Sequence, residues 1–192
     1  MLTRLRESVR PIAEALGRSL SKLGISPNAL TVAGLVFSVL TPVAATLLNP
    51  WSSLILMLLS ATFDFLDGAV AKATGNVSKK GAFLDSFSDR VADAAYIMTL
   101  KLLGIDWIPA FLFVITAFLI SYARARGEAL GLKMEGVGLM ERGDRILAIG
   151  TTLILLCLGY VKIATIVVWV SIALCIITII HRVAYIVSGT ER

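Results

Sequence analysis

Long apolar runs broken by short polar stretches set the outline of this chain. Six runs, at about 29–48, 51–73, 81–103, 107–126, 144–160 and 163–186, each approach the roughly 20 residues a helix needs to cross a bilayer. Ahead of them, Leu2, Leu5, Val9, Ile12, Leu16, Leu20 and Leu23 recur at steps of three and four, while Arg4, Arg6, Arg10, Arg18 and Lys22 lie off that stripe. This spacing predicts a basic amphipathic helix over 2–23, too polar to span and suited to a membrane surface. Ser26-Pro27-Asn28 reads as a helix start, with Ser26 as N-cap and proline at the first helical position. The expected fold is therefore all-α and integral to the membrane: six transmembrane helices preceded by an N-terminal amphipathic interfacial helix. Residues 1–25 form the interfacial segment and 26–192 the membrane domain.

Composition supports this outline. The chain is 57% hydrophobic and 16% charged, with a mean hydropathy of +0.87, whereas about a quarter of a soluble domain is charged. The first stretch has no continuous apolar core or small-residue cleavage site, so no cleavable signal peptide is expected. A net charge of +5 would suit nucleic acid, but position excludes that partner, because the basic residues fall between the spans. All but Lys101 and Lys162 of the 18 Lys and Arg belong to one side: the N-terminal helix, the 72–80 loop, Arg90, the 124–145 region and the C-terminus. The positive-inside rule then predicts a multi-pass cell-membrane protein with both termini in the cytoplasm. Trp51 and Trp107 open spans at the opposite interface, as anchors. Cys157 and Cys175 lie in apolar runs and read as small hydrophobes.

Four carboxylates interrupt this apolar pattern. Asp64 and Asp67 are spaced i, i+3 near the end of the second run, and Asp85 and Asp89 are spaced i, i+4 near the start of the third. Each pair shares a helix face. The short connector makes the two helices an antiparallel hairpin, so both pairs sit at its cytoplasmic end. Carboxylates near hydrocarbon depth are costly and mark function by default. Hard oxygen donors without a Cys or His cluster favour Mg²⁺ or Mn²⁺, and four carboxylates suffice for two ions. Gly68, Ala71 and Gly81 keep the backbone beside the acids approachable. With Lys72 nearby, the pattern suits a nucleotide diphosphate.

The string Asp64-x2-Asp67-Gly68-x2-Ala71-Lys72-x8-Gly81-x3-Asp85-x3-Asp89 resembles the signature of the CDP-alcohol phosphotransferase family, D-x2-D-G-x2-A-R-x8-G-x3-D-x3-D. Only Lys72 departs from it, where the family has an arginine on a phosphate of the CDP-linked substrate; lysine keeps the charge but loses the bidentate fork. The resemblance implies that Asp64, Asp67, Asp85 and Asp89 hold metal and that Asp89 is also the general base. It implies that Asn28 and Thr31, opening the first span, line the nucleotide site. It further implies a CDP-lipid donor, CDP-diacylglycerol or CDP-archaeol, the release of CMP, and a homodimer.

A second stretch bears on the acceptor. Arg124 and Arg126 end the fourth run and Arg142 and Arg145 open the fifth, all on the cytoplasmic side. An arginine cluster there suits a phosphate other than the one transferred. Ser121-Tyr122-Ala-Arg124-Ala-Arg126-Gly-Glu128 and Glu141-Arg142-Gly-Asp144-Arg145 resemble the phosphatidylinositol-phosphate synthase branch and its archaeal archaetidylinositol-phosphate relatives. That branch has S-Y-x-K-A-R-A-E and E-R-x-E-R. Here Arg124 stands for its Lys, Gly127 for an Ala and Asp144 for the second Glu. The resemblance implies inositol 1-phosphate as acceptor. Glycerol 3-phosphate would satisfy the same arginines. A divalent-cation transporter would also need buried carboxylates, but near the bilayer midplane rather than at helix ends.

Overall fold

A computed structural model describes residues 15–75 and 78–190. Residues 1–14, the larger part of the expected interfacial helix, lie outside the described residues, and 15–22 are helical. Six long helices follow: α1 (Pro27–Leu47), α2 (Pro50–Thr74), α3 (Lys79–Leu102), α4 (Trp107–Ala129), α5 (Arg142–Cys157) and α6 (Val161–Thr190). Their limits match the apolar runs closely because local chemistry sets them. The Ser26 hydroxyl accepts the Ala29 N–H at 3.2 Å, and Pro27 takes the first helical position. Asn49 caps α2 through the Ser52 N–H at 2.9 Å, ahead of Pro50. Ser78 caps α3 through the Gly81 N–H at 3.0 Å.

Four helices, α1, α2, α4 and α6, are long and apolar enough to cross a membrane. The other two fall short for separate reasons. Helix α3 carries Lys79, Lys80, Asp85, Asp89, Arg90, Asp93 and Lys101, and α5 has only 16 residues. The distribution of side chains is that of a chain solvated by lipid. Large apolar groups such as Val32, Val36, Val39 and Val43 on α1 and Ile166, Val170, Ile177 and Ile180 on α6 point outward. Small hydroxyls are buried instead, including Ser38, Thr41, Thr152 and Ser171. Each of these four donates to a carbonyl three or four residues back, which satisfies its hydrogen within its own helix.

The chain forms two compact units. The first comprises the chain through Thr41 together with Ile55–Ala92. In it α1 and α2 meet where Gly34 admits Ser60, whose hydroxyl donates to the Gly34 carbonyl at 2.6 Å. Phe37 stacks on Phe63 with ring centroids 5.3 Å apart. Residues 15–22 lie on α2 through Gly17, where a Cβ would stand 2.5 Å from the Ala69 carbonyl oxygen. The second unit comprises Pro42–Leu54 and Asp93–Arg192. There α6 packs on α4 and α5 around Phe113, Ile120, Ile149, Leu153, Val168 and Ile172. Cys175 is buried and unbridged, and Cys157 is also a free thiol.

Candidate functional site

In the first unit, α2 and α3 bring three aspartates together beside α1. Asp64, Asp67 and Asp85 each offer one carboxylate oxygen, and these oxygens lie within 4.8 Å of one another. Asp67 is the most enclosed, 5% exposed, whereas Asp64 and Asp85 are half-buried. Asp67 is held from α1: the Thr31 hydroxyl, itself buried, donates to its Oδ2 at 2.5 Å. The register set by Gly34–Ser60 and Phe37–Phe63 places Thr31 there.

Asp89 lies one turn beyond Asp85 along α3 and is not one of the three clustered carboxylates. Its Oδ2 faces the guanidinium of Arg90 at 3.5 Å, and Arg90 also donates to the Ser86 carbonyl at 2.6 Å. The small residues have distinct surroundings. A Cβ on Gly81 would stand 3.1 Å from the Asn28 amide oxygen, so glycine lets the start of α3 approach the start of α1. A Cβ on Gly68 would meet no other atom within 4 Å. Ala71 is half-buried, and Asn28 and Lys72 are exposed, Lys72 in the last turn of α2.

This donor set fits a hard divalent cation. Three carboxylates converge from two helices with no thiol or imidazole in the cluster, the ligand chemistry Mg²⁺ and Mn²⁺ prefer. Without a cation, three like charges at this spacing repel one another in a partly desolvated setting.

The expected acceptor residues lie in the second unit. Arg124 and Arg126 are exposed in the last turns of α4, and Arg124 donates to Glu128 at 2.9 Å, one turn on. Arg142 is the first residue of α5 and half-buried. Arg145 differs from them. It is 3% exposed and its guanidinium donates to Asp93 Oδ2 at 2.8 Å, forming a buried ion pair. The two partners lie 52 positions apart along the chain, beyond what spacing reveals. Two further residues did not stand out in the sequence. Arg182 is buried in α6 and donates to the carbonyls of Val137 at 2.8 Å and Ile120 at 2.7 Å. Thr178, one turn before it, is also buried. The available signal is an arginine well inside a 30-residue, predominantly apolar helix.

Residues 24–188 match the family described as CDP-alcohol phosphatidyltransferase. The chain belongs to that family. It is 40% identical over 150 residues to the archaetidylinositol phosphate synthase of Pyrococcus horikoshii, covering 78% of this chain and 80% of the relative. It is 37% identical to the archaetidylinositol phosphate synthase of Aeropyrum pernix, covering 94% of this chain and 93% of the relative. Its fold is similar to the crystal structure of Mycobacterium tuberculosis phosphatidylinositol phosphate synthase with CDP-DAG bound. The TM-score is 0.76 at 27% identity, over 92% of this chain and 94% of that one. The same mycobacterial enzyme in complex with manganese and citrate gives a TM-score of 0.75 at 26% identity, over 91% and 88% of the two chains. As a CDP-alcohol phosphatidyltransferase, the protein is a membrane enzyme that transfers a substituted phosphate group, and it is metal dependent.

Proposed function

We propose that this enzyme transfers the phosphatidyl or archaetidyl group of a CDP-lipid to inositol 1-phosphate and releases CMP. The observation that carries the reading is the convergence of Asp64, Asp67 and Asp85 from α2 and α3, in a chain that runs nearly the full length of an archaetidylinositol phosphate synthase. Family membership removes the transporter alternative.

In this reading Asp64, Asp67, Asp85 and Asp89 hold Mg²⁺ or Mn²⁺, two ions in all. When bound, the metal neutralises charge on the donor's diphosphate. The nucleotide end is received by Asn28 and Thr31 of α1 and by Gly68, Ala71, Lys72 and Gly81. Gly68 leaves its stretch of backbone approachable, and the exposed Lys72 offers a point charge to a phosphate. Asp89 accepts the proton of the acceptor hydroxyl, the freed oxygen attacks the β-phosphorus, and the bond to CMP breaks. Arg124, Arg126 and Arg142 hold the acceptor's own phosphate, and Arg145, its charge balanced by Asp93, supports the first turn of α5 behind Arg142. All six helices cross the membrane, with residues 1–25 as an interfacial helix, 26–192 as the membrane domain, and both termini and the active site cytoplasmic. A homodimer is the proposed assembly.

The chemical test is the product. With inositol 1-phosphate and CDP-diacylglycerol or CDP-archaeol, the lipid formed should carry both the donor's phosphate and the acceptor's own, read by mass. A product lacking the second phosphate would overturn the acceptor assignment.

Two variants probe the parts separately. Thr31→Val removes the hydroxyl that orients Asp67. The metal concentration for half-maximal CMP release should rise about 10- to 100-fold, as for other groups that orient metal ligands; an unchanged metal requirement would refute that role for Thr31. Arg142→Ala should raise the KM for inositol 1-phosphate by about 10- to 100-fold, equivalent to losing a charge-assisted hydrogen bond of roughly 1.5–3 kcal/mol. The KM for the CDP-lipid should stay within about twofold, well below that loss. An unchanged acceptor KM would count against the phosphate pocket.

A further inference from the structure

The segment between α4 and α5 leads directly into Arg142, and a single side chain in α6 fixes its last residues. Thr178 is fully buried. Its Oγ1 accepts the backbone N–H of Leu139 at 3.1 Å and that of Met140 at 3.0 Å. The same hydroxyl donates to the Leu174 carbonyl at 2.8 Å. A threonine hydroxyl has one hydrogen and two lone pairs, so its whole capacity is used.

The approach is as close as the chain allows. Gly138 has a φ of +113°, and any Cβ there would collide with the Thr178 methyl. Glycine therefore meets two requirements at once, backbone conformation and space. One turn along α6, Arg182 holds the Val137 carbonyl. The backbone at Val137, Leu139 and Met140 is thus tied to α6.

The next residue begins α5. Glu141 is its N-cap, with its own N–H donating to Asp144 Oδ2 at 3.0 Å and its carboxylate accepting the Gly136 N–H at 3.1 Å. Arg142 follows as the first helical residue. The start of α5 is therefore fixed from within by the capping box and from outside by Thr178.

We propose that Thr178 is a positioning residue for the acceptor: by holding the Leu139 and Met140 N–H groups it sets where Arg142 presents its guanidinium. The inference rests on the reading that Arg142 receives the acceptor's phosphate. The buried Met140 N–H and the part-buried Leu139 N–H, on losing their shared acceptor, must turn to find others, and the turn is passed into the first residue of α5. A planar guanidinium fork tolerates little displacement from its phosphate.

The test is Thr178→Val, which keeps the shape and removes the hydroxyl. A misplacement of about 1 Å costs up to about 10²-fold, so the KM for inositol 1-phosphate should rise by about 10- to 100-fold. The KM for the CDP-lipid should not change, and Thr178→Ser, which restores the hydroxyl, should be close to wild type on both. Thr178→Ala leaves room for a water beside the two N–H groups, so it should shift the acceptor KM in the same direction but less. It is read in place of the valine variant if that one does not fold. A role in folding alone would lower the active fraction and leave both KM values unchanged, and that result would overturn the proposal. Arg142→Ala, measured in parallel, separates the two levels. No change in its acceptor KM would reject the pocket itself, whereas a rise there without one in the Thr178 variants would reject only the positioning role.

Discussion

Asp89→Asn is expected to reduce kcat for CMP release by roughly 10²–10⁴-fold, the contribution of a general base. The amide keeps the size and polarity of the carboxylate but cannot take the acceptor's proton. The Arg90 guanidinium 3.5 Å from Asp89 Oδ2 would face a neutral group, and its bond to the Ser86 carbonyl would keep it in place. The variant should therefore fold and still bind CDP-lipid. Because Asp89 is also proposed as a metal ligand, the assay is repeated at rising Mg²⁺ or Mn²⁺. Recovery at high metal would reduce its role to ligation, and turnover within a few-fold of wild type would remove it as the base.

The largest expected loss of stability comes from the buried ion pair. Asp93→Ala leaves the Arg145 charge at 3% exposure without its partner, and removing one member of such a pair costs about 3–5 kcal/mol. The unfolding midpoint in detergent should fall steeply. Asp93→Leu combined with Arg145→Met should recover most of the loss, because the penalty comes mainly from an unpaired buried charge rather than from a missing attraction. A double variant no more stable than Asp93→Ala would show that packing, not charge, dominates at this position. A single variant of wild-type stability would mean that the pair is hydrated in the membrane-embedded protein.

These two aspartates mark what the sequence makes legible. Asp89 belongs to a motif whose spacing is itself the information. Residues i, i+3 and i, i+4 share a helix face whatever the tertiary structure, and a short turn joins the two faces. The helix limits were legible for the same reason: Ser26, Asn49 and Ser78 cap locally, and proline starts α1 and α2. Asp93 bears on stability through Arg145, and no local rule reveals a partner that far along the chain. Arg145 could be read as one of four similar arginines, because charge and helix position do not show which guanidinium is buried. Thr178 was invisible in a different way. A threonine in an apolar helix commonly bonds back to its own turn, as this one does to Leu174, and nothing in the periodicity shows that its lone pairs serve another segment. The six apolar runs are alike in spacing along the sequence, although α3 trades apolarity for the charged face that carries Asp85 and Asp89, and α5 is short.

The most direct measurement is CMP release by the purified protein in detergent, with CDP-diacylglycerol or CDP-archaeol and Mg²⁺ or Mn²⁺. Inositol 1-phosphate, glycerol 3-phosphate, inositol and serine are compared as acceptors. Release should require the metal and inositol 1-phosphate together, with the three other acceptors near background. Release with glycerol 3-phosphate and not with inositol 1-phosphate would contradict the acceptor, and with it the roles given to Arg142 and Thr178, while leaving the aspartate chemistry standing. No release with any acceptor, under both donors and both metals, would contradict the proposed reaction itself.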